Sequence, residues 1–88
     1  MKETGIKQLK EKAKLLEPTV RIGKNGLTES AVGEIKKQLK KRGIIKVKML
    51  RNFIEGRKKK EVAQQVAEQT ESELVDSIGF VLVLKRKN

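Results

Sequence analysis

Apolar residues recur along this chain with two different periods, and the changes between them mark out its elements. Over residues 4–16, Ile6, Leu9, Ala13 and Leu16 stand three and four apart, which draws one stripe along a helix that stops before Pro18. Residues 19–22 are β-branched at three of four positions and run into a glycine turn, so they are predicted as a strand. A second helix is predicted from Thr28, a suitable N-cap with Glu29 in the first turn. Ala31, Val32, Ile35 and Leu39 form its buried stripe, Lys40, Lys41 and Arg42 suit its C-terminal end, and Gly43 can take the left-handed closing position.

Residues 44–50 change to period two: Ile45, Val47 and Met49 face one way and Lys46 and Lys48 the other, as a half-exposed strand requires. After a loop over residues 51–56, a third long helix is predicted over residues 57–70. It carries Val62, Ala63, Val66 and Ala67 on one face and Glu61, Gln65 and Glu68 opposite. Its start, Arg57, Lys58, Lys59 and Lys60, opposes the helix dipole, by a few tenths of a kcal/mol per cation. Residues 73–78 and 80–84 are predicted as two strands joined by a tight turn at Gly79. The second of these is apolar throughout, Phe80 included, and belongs at the centre of a sheet. The order αβαβαββ makes an α+β, two-layer sandwich, with helices on one face of a four-stranded mixed sheet. Residues 1–4 and 85–88 are expected to fray.

Composition then narrows the function. At 88 residues the chain has the length of one domain, residues 1–88, with a modest core. With 22 Lys and Arg against 11 Asp and Glu, its formal charge is +11, which favours a polyanionic partner. Cysteine is absent, so no disulfide or thiolate zinc site braces the fold, and a reducing compartment, the cytoplasm, is the expected home. No apolar run approaches the roughly 18 residues of a membrane span, and residues 1–16 are too rich in lysine for a secretory signal.

Catalysis is disfavoured by the side chains available. Histidine, cysteine, tyrosine and tryptophan are all missing, which removes the usual general base, thiol nucleophile and phenolic acid. Glu29, Glu34, Glu61 and Glu68 fall on solvent faces of the predicted helices, where a solvated charge is the ordinary role. A non-enzyme is therefore expected, with no cofactor, no metal and no small-molecule substrate.

Binding chemistry is concentrated at Gly23-Lys24-Asn25-Gly26, between a strand end and a helix start. Two glycines let the backbone fold tightly and approach another chain, amides there can face an anion, and Lys24 adds a cation. A glycine turn that merely connects strand to helix has the same letters, but a GxxG loop also clamps the RNA backbone in the KH domain. Arg21 precedes the loop. Lys7, Lys10 and Lys14 lie three and four apart beside the first apolar stripe, and Lys36 and Lys40 occupy one edge of the second helix. Arg51 and Lys58, with Arg57, Lys59 and Lys60, make a second basic cluster. With only Phe53 and Phe80 as aromatics, a base-stacking platform of the RRM kind is disfavoured; Phe80 is assigned to the core, and only Phe53 is left to stack.

These residues resemble a known family. The string Val20-Arg21-Ile22-Gly23-Lys24-Asn25-Gly26-Leu27-Thr28 before a helix, then Ile45-Lys46-Val47-Lys48, a basic helix, and Ile78-Gly79 before a final strand, closely resemble the CRM domain in its stand-alone prokaryotic, YhbY-like form. The resemblance implies a fold similar to the C-terminal domain of translation initiation factor three. It also implies RNA binding through the GxxG loop and adjacent basic surface, and association with precursors of the large ribosomal subunit. The basic segment over residues 51–60 departs from the family pattern. A monomer bound to ribosomal or precursor RNA is expected, without membrane association. A general DNA-binding module is the alternative, because counterion release rewards cations on either nucleic acid.

Overall fold

The computed structural model describes residues 16–87. Apart from Leu16, the helix expected over residues 4–16 lies outside the described residues, as do Lys7, Lys10 and Lys14. The described elements are β1 (Pro18–Ile22), α1 (Glu29–Arg42), β2 (Ile44–Met49), a single helical turn α2 (Arg51–Ile54), α3 (Lys59–Gln69), β3 (Ser72–Ile78) and β4 (Val81–Arg86). The strands form one sheet in the order β1-β2-β4-β3, in which β1 and β2 run parallel and the other two pairs antiparallel. This is the expected mixed four-stranded sheet, with the apolar last strand inside it.

Strand register explains the core. Val20 lies beside Val47 and Val47 beside Leu82; Ile45 lies beside Leu84 and Leu84 beside Leu74; Ile22 pairs with Met49. These rows share one face, onto which α1 sets Ile35 and Leu39 and α3 sets Val62, Ala63, Val66 and Ala67. Burying each larger aliphatic side chain contributes about 1.5–3 kcal/mol. Ala31 and Val32, predicted on the same stripe, are half-buried. On the opposite face a smaller cluster forms, with Ile44 and Val83 buried against Leu16 and Val75.

Four local expectations are corrected. Residues 51–54 are helical rather than loop: the amides of Phe53 and Ile54 both donate to the Leu50 carbonyl, and burial of those two side chains holds the turn. The third long helix begins at Lys59, not at residue 57, because Gly56 at φ 78° ends the preceding turn in the left-handed region. Lys85 and Arg86 belong to β4 instead of a frayed tail; Arg86 donates through its amide to Gly43 and through Nη1 to the Lys40 carbonyl, 2.9 Å away. Finally, Phe80 is not in the strand. Ile78 and Val81 are register partners, so Gly79 and Phe80 form a two-residue turn, with Gly79 at the positive φ (58°) that primed hairpin turns require at their first central position.

Candidate nucleic-acid interface

The glycine loop is a closed turn followed by a capped helix. The Gly26 amide donates to the Gly23 carbonyl at 2.9 Å, which leaves Lys24 and Asn25 at the two central positions, both exposed. Among the described residues, no acceptor is paired with the amide of either. Gly26 sits at φ 72°, its carbonyl accepts from the Thr28 amide, and Thr28 Oγ1 in turn accepts from the Ala31 amide at 3.0 Å. The N-cap predicted from sequence is thus present. It lies two residues beyond the turn, so the amides of Lys24 and Asn25 and the helix N-terminus follow one another along the chain.

The second basic cluster is brought to the same end of the sheet. The Leu50 amide donates to the Ile22 carbonyl and the Met49 amide to the Phe80 carbonyl, which ties the ends of β1 and β2 and the β3–β4 turn together. Arg51, next after Leu50, and the start of α3, whose Lys59 lies over the Phe80 ring, therefore stand at this end of the sheet, and Arg51 and the N-cap residue Lys58 are exposed. An open cleft of about 330 Å³ lies between them, lined by Arg51, Ile54, Glu55, Arg57, Lys59 and Phe80.

The two phenylalanines exchange the roles assigned from sequence. Phe53 is buried, 5% exposed, with the Arg57 guanidinium 5.3 Å from its ring centroid, so it supports the site and is not free to stack. Phe80 is 41% exposed, with Lys59 Nζ 4.3 Å from its ring centroid. A one-residue difference in strand start decides this, since residue 80 in a strand would have pointed into a layer.

Arg21 stands on the sheet face away from α1 and α3, beside its register partner Lys48. Two adjacent cations on one face repel and are kept apart by solvent unless an anion lies across them. Lys36 borders a depression with Leu27 and Glu29 just past the glycine turn, whereas Lys40 does not join this end. Lys40 is twelve residues beyond Thr28, roughly 18 Å along the helix. Lys36 makes a 3.6 Å ion pair with Glu71, and both lysines border a shallow depression with Thr70, Arg86 and Lys87.

The comparisons with known proteins agree with this architecture. The model of the CRS1 / YhbY (CRM) domain matches residues 1–86. The chain belongs to the CRM-domain family. It is 39% identical over 80 residues to a probable RNA-binding protein of Methanocaldococcus jannaschii, covering 91% of this chain and 59% of that protein, so the chain spans about three-fifths of that relative's length. It is 34% identical to the probable RNA-binding protein YqeI of Bacillus subtilis, covering 91% of this chain and 81% of YqeI. The solution structure of the hypothetical protein SAV1595 from Staphylococcus aureus superposes with a TM-score of 0.76 at 36% identity, over 94% of this chain and 84% of that one.

Three contributors to this end of the CRM domain have surroundings that local sequence does not reveal. Lys48 was legible as the outward residue of an alternating strand, but its place beside Arg21 depends on a parallel register that no local pattern encodes. Lys59 is one of four neighbouring cations in sequence, and the fold alone sets it over Phe80. For Phe80 the available signal was Gly79, whose positive φ implies a two-residue turn. No helix among the described residues is long and apolar enough to cross a membrane.

Proposed function

We propose that this chain is an RNA-binding protein that grips the phosphate backbone through the Gly23–Gly26 turn and the cations around it, and that its target is the RNA of a large ribosomal subunit precursor. One observation carries the reading: the exposed residues Lys24 and Asn25, whose amides have no partner among the described residues, share an end of the sheet with Arg51, Arg57, Lys58 and Lys59. Unpaired backbone donors in a tight turn and a fan of cations suit phosphate oxygens, and the names of the relatives point to RNA. The ribosomal target follows from the family resemblance, and would place the protein in the cytoplasm. The role is binding without catalysis, since the side chains gathered at the turn are donors and cations.

The test is competition at fixed salt between labelled structured RNA and unlabelled RNA or duplex DNA, followed by sedimentation of cell lysate. RNA should compete more strongly than DNA, and the protein should migrate with immature large subunits. Equal competition by duplex DNA would favour a general nucleic-acid binder, and a protein found only at the top of a low-salt gradient would remove the ribosomal target.

A further inference from the structure

We infer that the cleft between α2 and the β3–β4 turn is a slot for one unpaired nucleobase, with Phe80 as its stacking surface. The inference rests on the RNA-binding reading and adds a base-contacting site beside the backbone grip.

Phe80 is a partly exposed aromatic side chain on a fixed backbone, with Lys59 Nζ over its ring. Its backbone is fixed on both sides, by the positive-φ turn at Gly79 and by the 2.7 Å bond from the Met49 amide to its own carbonyl, while its side chain remains 41% exposed. A large apolar ring kept in solvent on a rigid turn, in a chain whose only other phenylalanine is buried, marks a contact surface. Ile78 and Leu50, the other exposed large apolar side chains among the described residues, lie at the same end of the sheet.

The chemistry around the ring selects an anionic aromatic ligand. Arg51, Arg57 and Lys59 line the cleft with Phe80, and its one carboxylate, Glu55, can accept a hydrogen bond from a base amino or imino group. At about 330 Å³ the cleft falls within the roughly 300–1,000 Å³ of small-ligand sites. Lys59 now covers the ring as an exposed cation–π pair, which is weaker than a stacked base, so the ammonium can move aside to a phosphate when a base arrives.

Position ties the slot to the grip. The single turn α2 is a shared wall: Phe53 packs beneath Gly26 on one side, and Arg51 and Ile54 border the cleft on the other. A strand whose phosphate rests on the Lys24 and Asn25 amides can therefore turn a neighbouring base into the cleft, which a base held in a duplex cannot do. The preferred RNA is thus one with an unpaired nucleotide next to the gripped backbone.

The chain contains no tryptophan or tyrosine, so Phe80→Trp would carry its only indole, placed in the slot. We would titrate wild type, Phe80→Ala, Phe80→Leu and Phe80→Trp with a short oligouridylate, a blunt-ended RNA duplex and heparin at one salt concentration. Loss of the ring should weaken oligouridylate binding by roughly 5- to 150-fold, the range for one stacked base, and duplex binding by less than about twofold. The leucine variant keeps apolar bulk without a flat π-face and should lose as much as alanine, which separates stacking from folding. Oligouridylate should quench the indole, and duplex and heparin should not. Undiminished binding of oligouridylate by Phe80→Ala, or unquenched emission in its saturated complex with Phe80→Trp, would overturn the slot and leave the RNA reading standing. Failure of the wild type to bind either RNA would overturn both.

Discussion

Gly26 lies directly over Phe53: a Cβ built on the glycine would stand 3.6 Å from Phe53 Cε1, ordinary contact, yet the backbone there is at φ 72°. Space is not what requires glycine at position 26; conformation is. Gly23 is the reverse case, with no positive φ but a Cβ position 3.2 Å from Leu50 Cδ1, the end of an exposed and flexible side chain. Gly26→Ala should therefore cost about 1–2 kcal/mol in urea unfolding, and Gly23→Ala less than about 0.5 kcal/mol. Equal losses would mean that the turn does not hold this geometry in solution.

The exchange of roles between the phenylalanines has a stability signature. Phe53→Ala should destabilise by about 3–5 kcal/mol, because it empties a buried site under the glycine turn. Phe80→Ala should cost less than about 1 kcal/mol, since that ring sits in a turn and is substantially exposed. Chemical denaturation of the two variants in parallel checks the order; a reversed order would return Phe80 to the core.

Glu71 is the one non-glycine residue at positive φ (53°) among the described residues, and it follows the last turn of α3, where glycine is the usual occupant. Its ion pair with Lys36 spans 3.6 Å between side chains 45% and 78% exposed, and exposed pairs contribute little. Glu71→Gly should raise stability by up to about 1 kcal/mol, the relieved strain exceeding the added chain entropy. A drop in the thermal midpoint would show that the ion pair matters more than the backbone.

The dipeptide Lys-Asn occurs at positions 24–25 and again at 87–88, which provides a charge-matched test of the turn. Changing either pair to Asp-Asp removes one positive charge and adds two negative ones, so both variants fall from +11 to +8. Any difference in RNA affinity between them then reports location. Carboxylates beside the turn amides should weaken binding by about 1–3 kcal/mol more than the same change at the tail, with thermal midpoints agreeing within a few degrees. In the wild type, log K against log salt should fall by about 0.7 per single-strand phosphate neutralised. Identical affinities of the two variants would make the glycine turn a connector only.

Local pattern determined much of this protein. The alternation from Ile45 to Met49 oriented β2 correctly, the stripe Val62, Ala63, Val66 and Ala67 matches the buried face of α3, and Thr28 caps α1 as its side chain and position indicated. These features depend on neighbours within a few residues, and period, capping and turn chemistry report those neighbours directly. The family string around Gly23 and Gly26 was legible for the same reason, being contiguous. Contacts between distant segments were decided by tertiary structure alone. The parallel register that sets Arg21 beside Lys48 and the burial of Phe53 beneath Gly26 join residues that are not neighbours in the chain, and the pairing of Ile78 with Val81 leaves Phe80 in a turn under Lys59. Each follows from which strands share hydrogen bonds and where a turn closes, and a shift of one residue in either would turn the same side chain to the other face.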